Sequence, residues 1–171
     1  MKIVITGPES SGKTTLAKSL AQYYKTSWVP EYSRTYLNKL SRPYDKNDLL
    51  PIAKGQLERE NQYVSQATSF IICDTSMLVL KVWSLYKYQS VDPWIVEKLL
   101  DENYTLFLLC KPDIPLEYDP LRENPVDRDV LFEMYYKELI DHDLPFIIIE
   151  GREKETRLKS AIKAVNTVVG C

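Results

Sequence analysis

A three-layer α/β/α fold around a five-stranded parallel sheet is the class this chain predicts, on two observations. Five short apolar runs alternate with helical patterns along the 171 residues, and uninterrupted apolar strands suit a parallel sheet covered on both faces. The first run, Lys2–Thr6, leads directly into Gly7-Pro8-Glu9-Ser10-Ser11-Gly12-Lys13-Thr14. That is a G-x-x-x-x-G-K-[ST] loop in the strand–loop–helix setting the motif requires.

The elements follow in order. A helix is expected after the loop, with Leu16, Ala17, Leu20, Ala21 and Tyr24 on one face. Ser27–Pro30 reads as a short second strand ending at Glu31. Asp45 or Asn47 caps a long helix to about Ala67, with Leu49, Ile52, Ala53, Leu57 and Val64 at helical spacing and Pro51 in its first turn. Phe70–Cys73 is the third strand, ending at Asp74, and Ser76 to about Tyr88 is an apolar helix. Asp92-Pro93 is an N-cap followed by proline at the first helical position, opening a helix to about Leu100. Leu106–Cys110 ends at Lys111-Pro112, Asp127 caps a helix through about Ile140, and Phe146–Ile149 ends at Glu150-Gly151. Glu153–Val169 is amphipathic, with Leu158, Ile162 and Val165 facing inward. The exception is Pro112–Pro125, rich in proline and charge, which reads as a loop of the length that is functional or disordered; a lid segment is expected over about 112–128. The chain therefore reads as a single P-loop NTPase domain, residues 1–171.

The loop carries the firmest chemistry. Its successive N–H groups form an anion nest backed by a helix N-terminus. Gly7 and Gly12 allow the close backbone approach that a side chain would block. Pro8, Glu9, Ser10, Ser11 and Thr15 complete the nucleotide cradle. Lys13 reaches the β- and γ-phosphates, and the Thr14 hydroxyl sits on Mg²⁺.

Composition narrows the partners. There are 22 Lys+Arg against 24 Asp+Glu, a net charge of −2, so no nucleic acid partner is implied. No apolar run reaches the roughly 18 residues of a membrane span, and the start is too short for a signal peptide. No membrane association and a cytoplasmic location are expected. Cys73, Cys110 and Cys171 have no metal or disulfide spacing, and His142 stands as the one histidine, between two aspartates near a helix end. It is expected on the solvated surface, and histidine catalysis is excluded. Association of copies into a homo-oligomer is left open.

Ligands of doubly wound sheets bind beyond the carboxyl ends of the strands, and candidates cluster there. Asp74 suits a Mg²⁺-holding carboxylate or the base that takes a hydroxyl proton. Glu31 faces the acceptor side, with Arg34 one helical turn away as a substrate contact or as its ion partner. Arg122 and Arg128, in and just after the proline-rich loop, suit an arginine finger. Arg152 is placed to pack on a nucleotide base. Trp83, with Tyr32, Tyr36, Tyr86 and Tyr88, offers flat faces to a heteroaromatic substrate.

Several stretches together resemble one family. They are the loop Gly7–Thr14, Val29-Pro30-Glu31-Tyr32-Ser33-Arg34, Ile52-Ala53-Lys54-Gly55-Gln56, Cys73-Asp74-Thr75, and Cys110-Lys111-Pro112-Asp113-Ile114-Pro115 continuing through Asp119 to Arg122. Over nearly the whole chain they are similar to the nicotinamide riboside (ribosylnicotinamide) kinase domain of NadR-type NAD biosynthesis proteins. The resemblance implies ATP-dependent phosphorylation of the riboside 5′-hydroxyl to nicotinamide mononucleotide. It puts Trp83 and the Glu31 region, with Tyr32 and Arg34, near the riboside, and Arg122 and Arg128 in the lid. Members with the full architecture also carry a nucleotidyltransferase domain with an H-x-G-H signature. His142 alone cannot supply that, so a stand-alone kinase module is expected. The expected mechanism uses Lys13, Arg122 and Arg128 on the transferring phosphoryl group. Asp74 and Thr14 hold Mg²⁺, and Asp74, in preference to Glu31, serves as base. The alternatives are a nucleotide-dependent binding switch, or a kinase for another nucleoside or nucleotide.

Overall fold

The computed structural model describes residues 1–67, 69–115 and 127–170. Arg122 and most of the expected lid lie outside the described residues. Those described form β1 (Lys2–Thr6), α1 (Lys13–Tyr24), β2 (Ser27–Val29), α2 (Tyr32–Leu37), α3 (Lys46–Gln66), β3 (Ile71–Asp74), α4 (Met77–Tyr88), α5 (Pro93–Asp101), β4 (Tyr104–Cys110), α6 (Arg128–Asp141), β5 (Phe146–Ile149) and α7 (Lys154–Val169). The strands pair in the order β2-β3-β1-β4-β5, all parallel.

The distribution of helices follows from crossover handedness. The chain leaves β1 toward one edge through α1, then returns across the sheet through β3, β4 and β5. Right-handed crossovers in opposite directions put their helices on opposite faces. On one face α3, α4, α5 and α6 cover Val4, Cys73, Phe107 and Leu109. On the other, α1 and α7 cover Ile3, Ile5, Ile72 and Leu108. Alternate residues of β1 thus enter two separate cores, which is why its five residues KIVIT are buried throughout.

Local chemistry sets the boundaries. Asp45 caps α3, accepting from Asn47 N at 2.7 Å while Asp48 accepts from Asp45 N at 2.8 Å, a reciprocal capping box. With Asp45 as cap, Pro51 falls in the second turn of α3 and not the first. Val64, at helical spacing with Leu49, Ile52, Ala53 and Leu57, is exposed, unlike those four. The short α2 is an addition to the expected elements. Its Tyr32, Tyr36 and Leu37 pack on the larger core.

Two buried polar clusters stand away from the strand carboxyl ends. Lys2 Nζ donates to Glu60 at 3.0 Å and to Glu102 at 2.6 Å, closing the opposite end of the sheet. His142 departs from the solvated role expected of it. Its Nε2 lies 2.5 Å from Lys81 Nζ, and Lys81 also pairs with Glu138. The three residues staple α4 to α6.

Candidate active site

The strand carboxyl ends open into one cleft of about 1060 Å³, lined from the phosphate loop at one end to Trp83 and Tyr44 at the other. Its donor end is made of backbone. Gly7 has φ +130, and a Cβ there would lie 2.6 Å from the Cys110 carbonyl oxygen, so only glycine fits against β4. Gly12 at φ +78 is the N-cap residue of α1. The loop folds on itself. Ser11 Oγ and Lys13 Nζ both donate to the Pro8 carbonyl at 2.7 Å. Arg128 Nη1 donates to the carbonyls of Ser10 (3.3 Å) and Ile114 (3.1 Å). Arg128 therefore reaches the loop from the first residue of α6. Arg152 is exposed and lines the same end of the cleft.

Asp74 closes β3 beside the loop. It is 2 % exposed, and its Oδ1 is buried without a hydrogen-bond partner among the described residues. Burial pushes its carboxyl up to about 6; the Thr14 hydroxyl that donates to it opposes this, while nearby Glu31 adds to it. Thr75 follows at φ +77, a left-handed conformation that costs a β-branched residue on the order of 1–2 kcal/mol. That strain turns the chain sharply from β3 into α4, whose first N–H groups are capped by Ser76 (Leu78 N to Oγ, 3.3 Å). The unpartnered buried carboxylate oxygen and the adjacent Thr14 hydroxyl are hard oxygen donors, and they fit a Mg²⁺ ion.

The other end is made of side chains from separate elements. Glu31 precedes α2; its Oε1 accepts from Ser33 Oγ at 2.6 Å and its Oε2 lies 3.4 Å from Arg34 Nε. Trp83 of α4 donates Nε1 to the Tyr44 hydroxyl at 2.9 Å, with the rings edge to face at 5.0 Å. Tyr86 and Tyr135 complete that wall. Tyr32, Tyr36 and Tyr88, expected on the substrate side, are not among the residues that line the cleft and pack on the larger core instead. The Tyr32 ring packs on α3, where a Cβ on Gly55 would lie 2.1 Å away, and Arg59 covers it at 4.9 Å. The Tyr32 N–H donates to Gln56 Oε1 at 2.8 Å, and Arg59 Nη1 donates to the Pro30 carbonyl at 3.2 Å. One face of α3 thereby grips the segment that carries Glu31.

With this geometry in place, comparison with known proteins defines the family. The model of the AAA domain family AAA_28 matches residues 2–157. The chain belongs to that family. It is also 26 % identical over 98 % of its length to the trifunctional NAD biosynthesis/regulator protein NadR of Escherichia coli, of which it spans 42 %. A crystal structure of NadR protein in complex with NR superposes over 99 % of this chain and 52 % of the other, with TM-score 0.84 and 25 % identity. Thymidylate kinase from Ehrlichia chaffeensis, at 16 % identity and TM-score 0.69, shares the fold.

Sequence reasoning missed Tyr44, Arg59 and Arg157. Tyr44 lies in a loop whose neighbours give no pattern. Arg59 and Arg157 sit at polar positions of long helices, where a surface arginine reads the same as one that turns inward.

Proposed function

We propose that this chain is a kinase that transfers the γ-phosphoryl group of ATP to the 5′-hydroxyl of nicotinamide riboside, forming nicotinamide mononucleotide. The observation that carries the reading is the position of Asp74. Its buried carboxylate shares the cleft with the phosphate loop, Glu31 and Trp83, accepts from the Thr14 hydroxyl and feels the charges of Lys13 and Glu31. The similarity to NadR, one structure of which is described in complex with NR, supports the acceptor's identity.

The residues divide the work as follows. The N–H groups of Gly7–Thr14 and the Lys13 ammonium hold and neutralise the triphosphate. Thr14 and Asp74 would hold Mg²⁺, which neutralises charge on the phosphate oxygens when bound. Asp74, ionised above about pH 6, takes the proton from the acceptor hydroxyl. Glu31, held by Ser33 and Arg34, orients the ribose. The Trp83 ring, edged by Tyr44, offers a flat face to the base. Arg128 stands at the loop as the arginine finger; Arg122, expected to join it, lies outside the described residues. Arg152 packs on the adenine.

The test is a coupled assay of ATP consumption over a panel of nucleosides. Consumption that depends on nicotinamide riboside, with the mononucleotide as product, is expected. Slow hydrolysis indifferent to every nucleoside would overturn the kinase reading.

A further inference from the structure

Arg157 is one of the most enclosed cations of the described residues, at 4 % exposure, and the mechanism above makes no use of it. It lies in the first turn of α7. Its Nη2 donates to the Ser11 carbonyl at 2.8 Å. Its Nη1 donates to Asp113 Oδ1 at 2.6 Å, to the Gly151 carbonyl at 3.2 Å and to the Lys111 carbonyl at 3.3 Å. The second Asp113 oxygen accepts from Gly151 N at 2.6 Å. One guanidinium therefore ties together three chain segments, the phosphate loop and the loops that follow β4 and β5.

The contact to Ser11 has a consequence for anion binding. In a trans peptide the C=O of one residue and the N–H of the next point in opposite directions. Holding the Ser11 carbonyl outward, toward α7, aims the Gly12 N–H inward, into the cradle. Gly12 has no side chain to resist rotation of that peptide, and its φ is already +78. The other carbonyls are secured in the same way. Pro8 O is held by Ser11 and Lys13, and Ser10 O by Arg128. A buried arginine suits the task because its planar fork serves several carbonyls and a carboxylate at once, which a lysine ammonium cannot do.

We infer that Arg157 is a positioning residue for the nucleotide: with Asp113 it fixes the Ser11–Gly12 peptide in the orientation that binds phosphate, and its loss weakens the donor half of the site selectively. The inference builds on the kinase reading but is read from nucleotide affinity alone. The experiment measures equilibrium binding of a fluorescent ATP analogue, and separately of the nucleoside, to the wild type and to Arg157→Lys, Arg157→Met and Asp113→Asn. The Arg157→Lys variant keeps a buried cation beside Asp113 and so guards against simple misfolding. The expected result is an ATP dissociation constant raised roughly tenfold or more in Arg157→Lys, with nucleoside affinity within twofold of wild type. Asp113→Asn, which leaves the Ser11 contact in place, is expected to show a smaller loss. In turnover, the KM for ATP rises while the KM for the nucleoside does not. ATP affinity within twofold of wild type in Arg157→Lys, or equal losses for both ligands, overturns the inference. Failure of the kinase reading would look different, as a wild type that binds ATP but consumes none when nucleosides are added.

Discussion

The two ends of the cleft are built on different principles. The donor end is backbone from contiguous residues: Gly7 pressed against the Cys110 carbonyl, Gly12 capping α1, and carbonyls of Pro8, Ser10 and Ser11 held by buried or half-buried cations. The acceptor end is side chains from separate elements, Glu31 before α2, Tyr44 before α3 and Trp83 in α4, joined by ring contacts and half-exposed ion pairs. A backbone cradle recognises what all nucleotides share. A wall of side chains can be rebuilt one residue at a time, so under the proposed kinase function acceptor choice resides there.

The largest expected effects fall where the two ends meet. Lys13→Ala should lower kcat on the order of 10³-fold, because a preorganised charge on the phosphoryl group is lost. A variant within tenfold of wild type would remove Lys13 from the transfer step. Asp74→Asn should be comparably inactive yet more stable at neutral pH. The folded Asp74 carboxyl sits at about 6 against an ordinary 3.8. A group raised on folding contributes stability that is fully present below its unfolded value and lost as pH rises through the folded value. Above pH 6 the buried charge costs up to about 3 kcal/mol. Thermal melts of Asp74→Asn should therefore exceed wild type at pH 7.5 and converge with it near pH 4; a lower Tm at pH 7.5 would contradict this account.

Glycine substitutions sharpen the contrast. Gly7→Ala sets a Cβ against backbone and should cost about 3 kcal/mol or more in denaturant melts. Gly55→Ala meets the Tyr32 ring, a side chain that can shift. It should cost less stability but disturb Glu31, raising the nucleoside KM more than the ATP KM. Trp83→Ala should raise the nucleoside KM about tenfold and leave ATP unaffected; equal effects on both would return Trp83 to a core role. Smallest is the pH limb. kcat/KM for ATP, which reports the free enzyme before Mg²⁺–ATP binds, should fall below about pH 6 as Asp74 protonates, and this limb should be absent from the residual activity of Asp74→Asn.

Much of the architecture was legible before the structure. The apolar runs, the Asp92-Pro93 start and the phosphate loop are local signals, and each element they predicted is present with its boundary within a few residues. The misplacement of Pro51 came from a choice between two adjacent caps, Asp45 and Asn47, which only the hydrogen bonds decide. Placement of Glu31 and Asp74 in one cleft followed from their positions at strand ends, whereas Trp83 reaches it from the middle of α4. Tyr32 shows the reverse. Its neighbours in sequence face the cleft, yet Gly55, 23 residues away, leaves the hollow that draws its ring into α3.

The sequence by itself determined the fold and the phosphate cradle, because strand burial, helix capping and a glycine-rich loop depend on residues close along the chain. Tertiary structure alone decided that Arg157 reaches back from α7 to the Ser11 carbonyl, that Tyr44 meets Trp83, and that α3 grips the segment bearing Glu31. The physical reason is that a buried polar group must find partners wherever the fold brings them. For these residues the partners are distant in the chain, so no local pattern announces them.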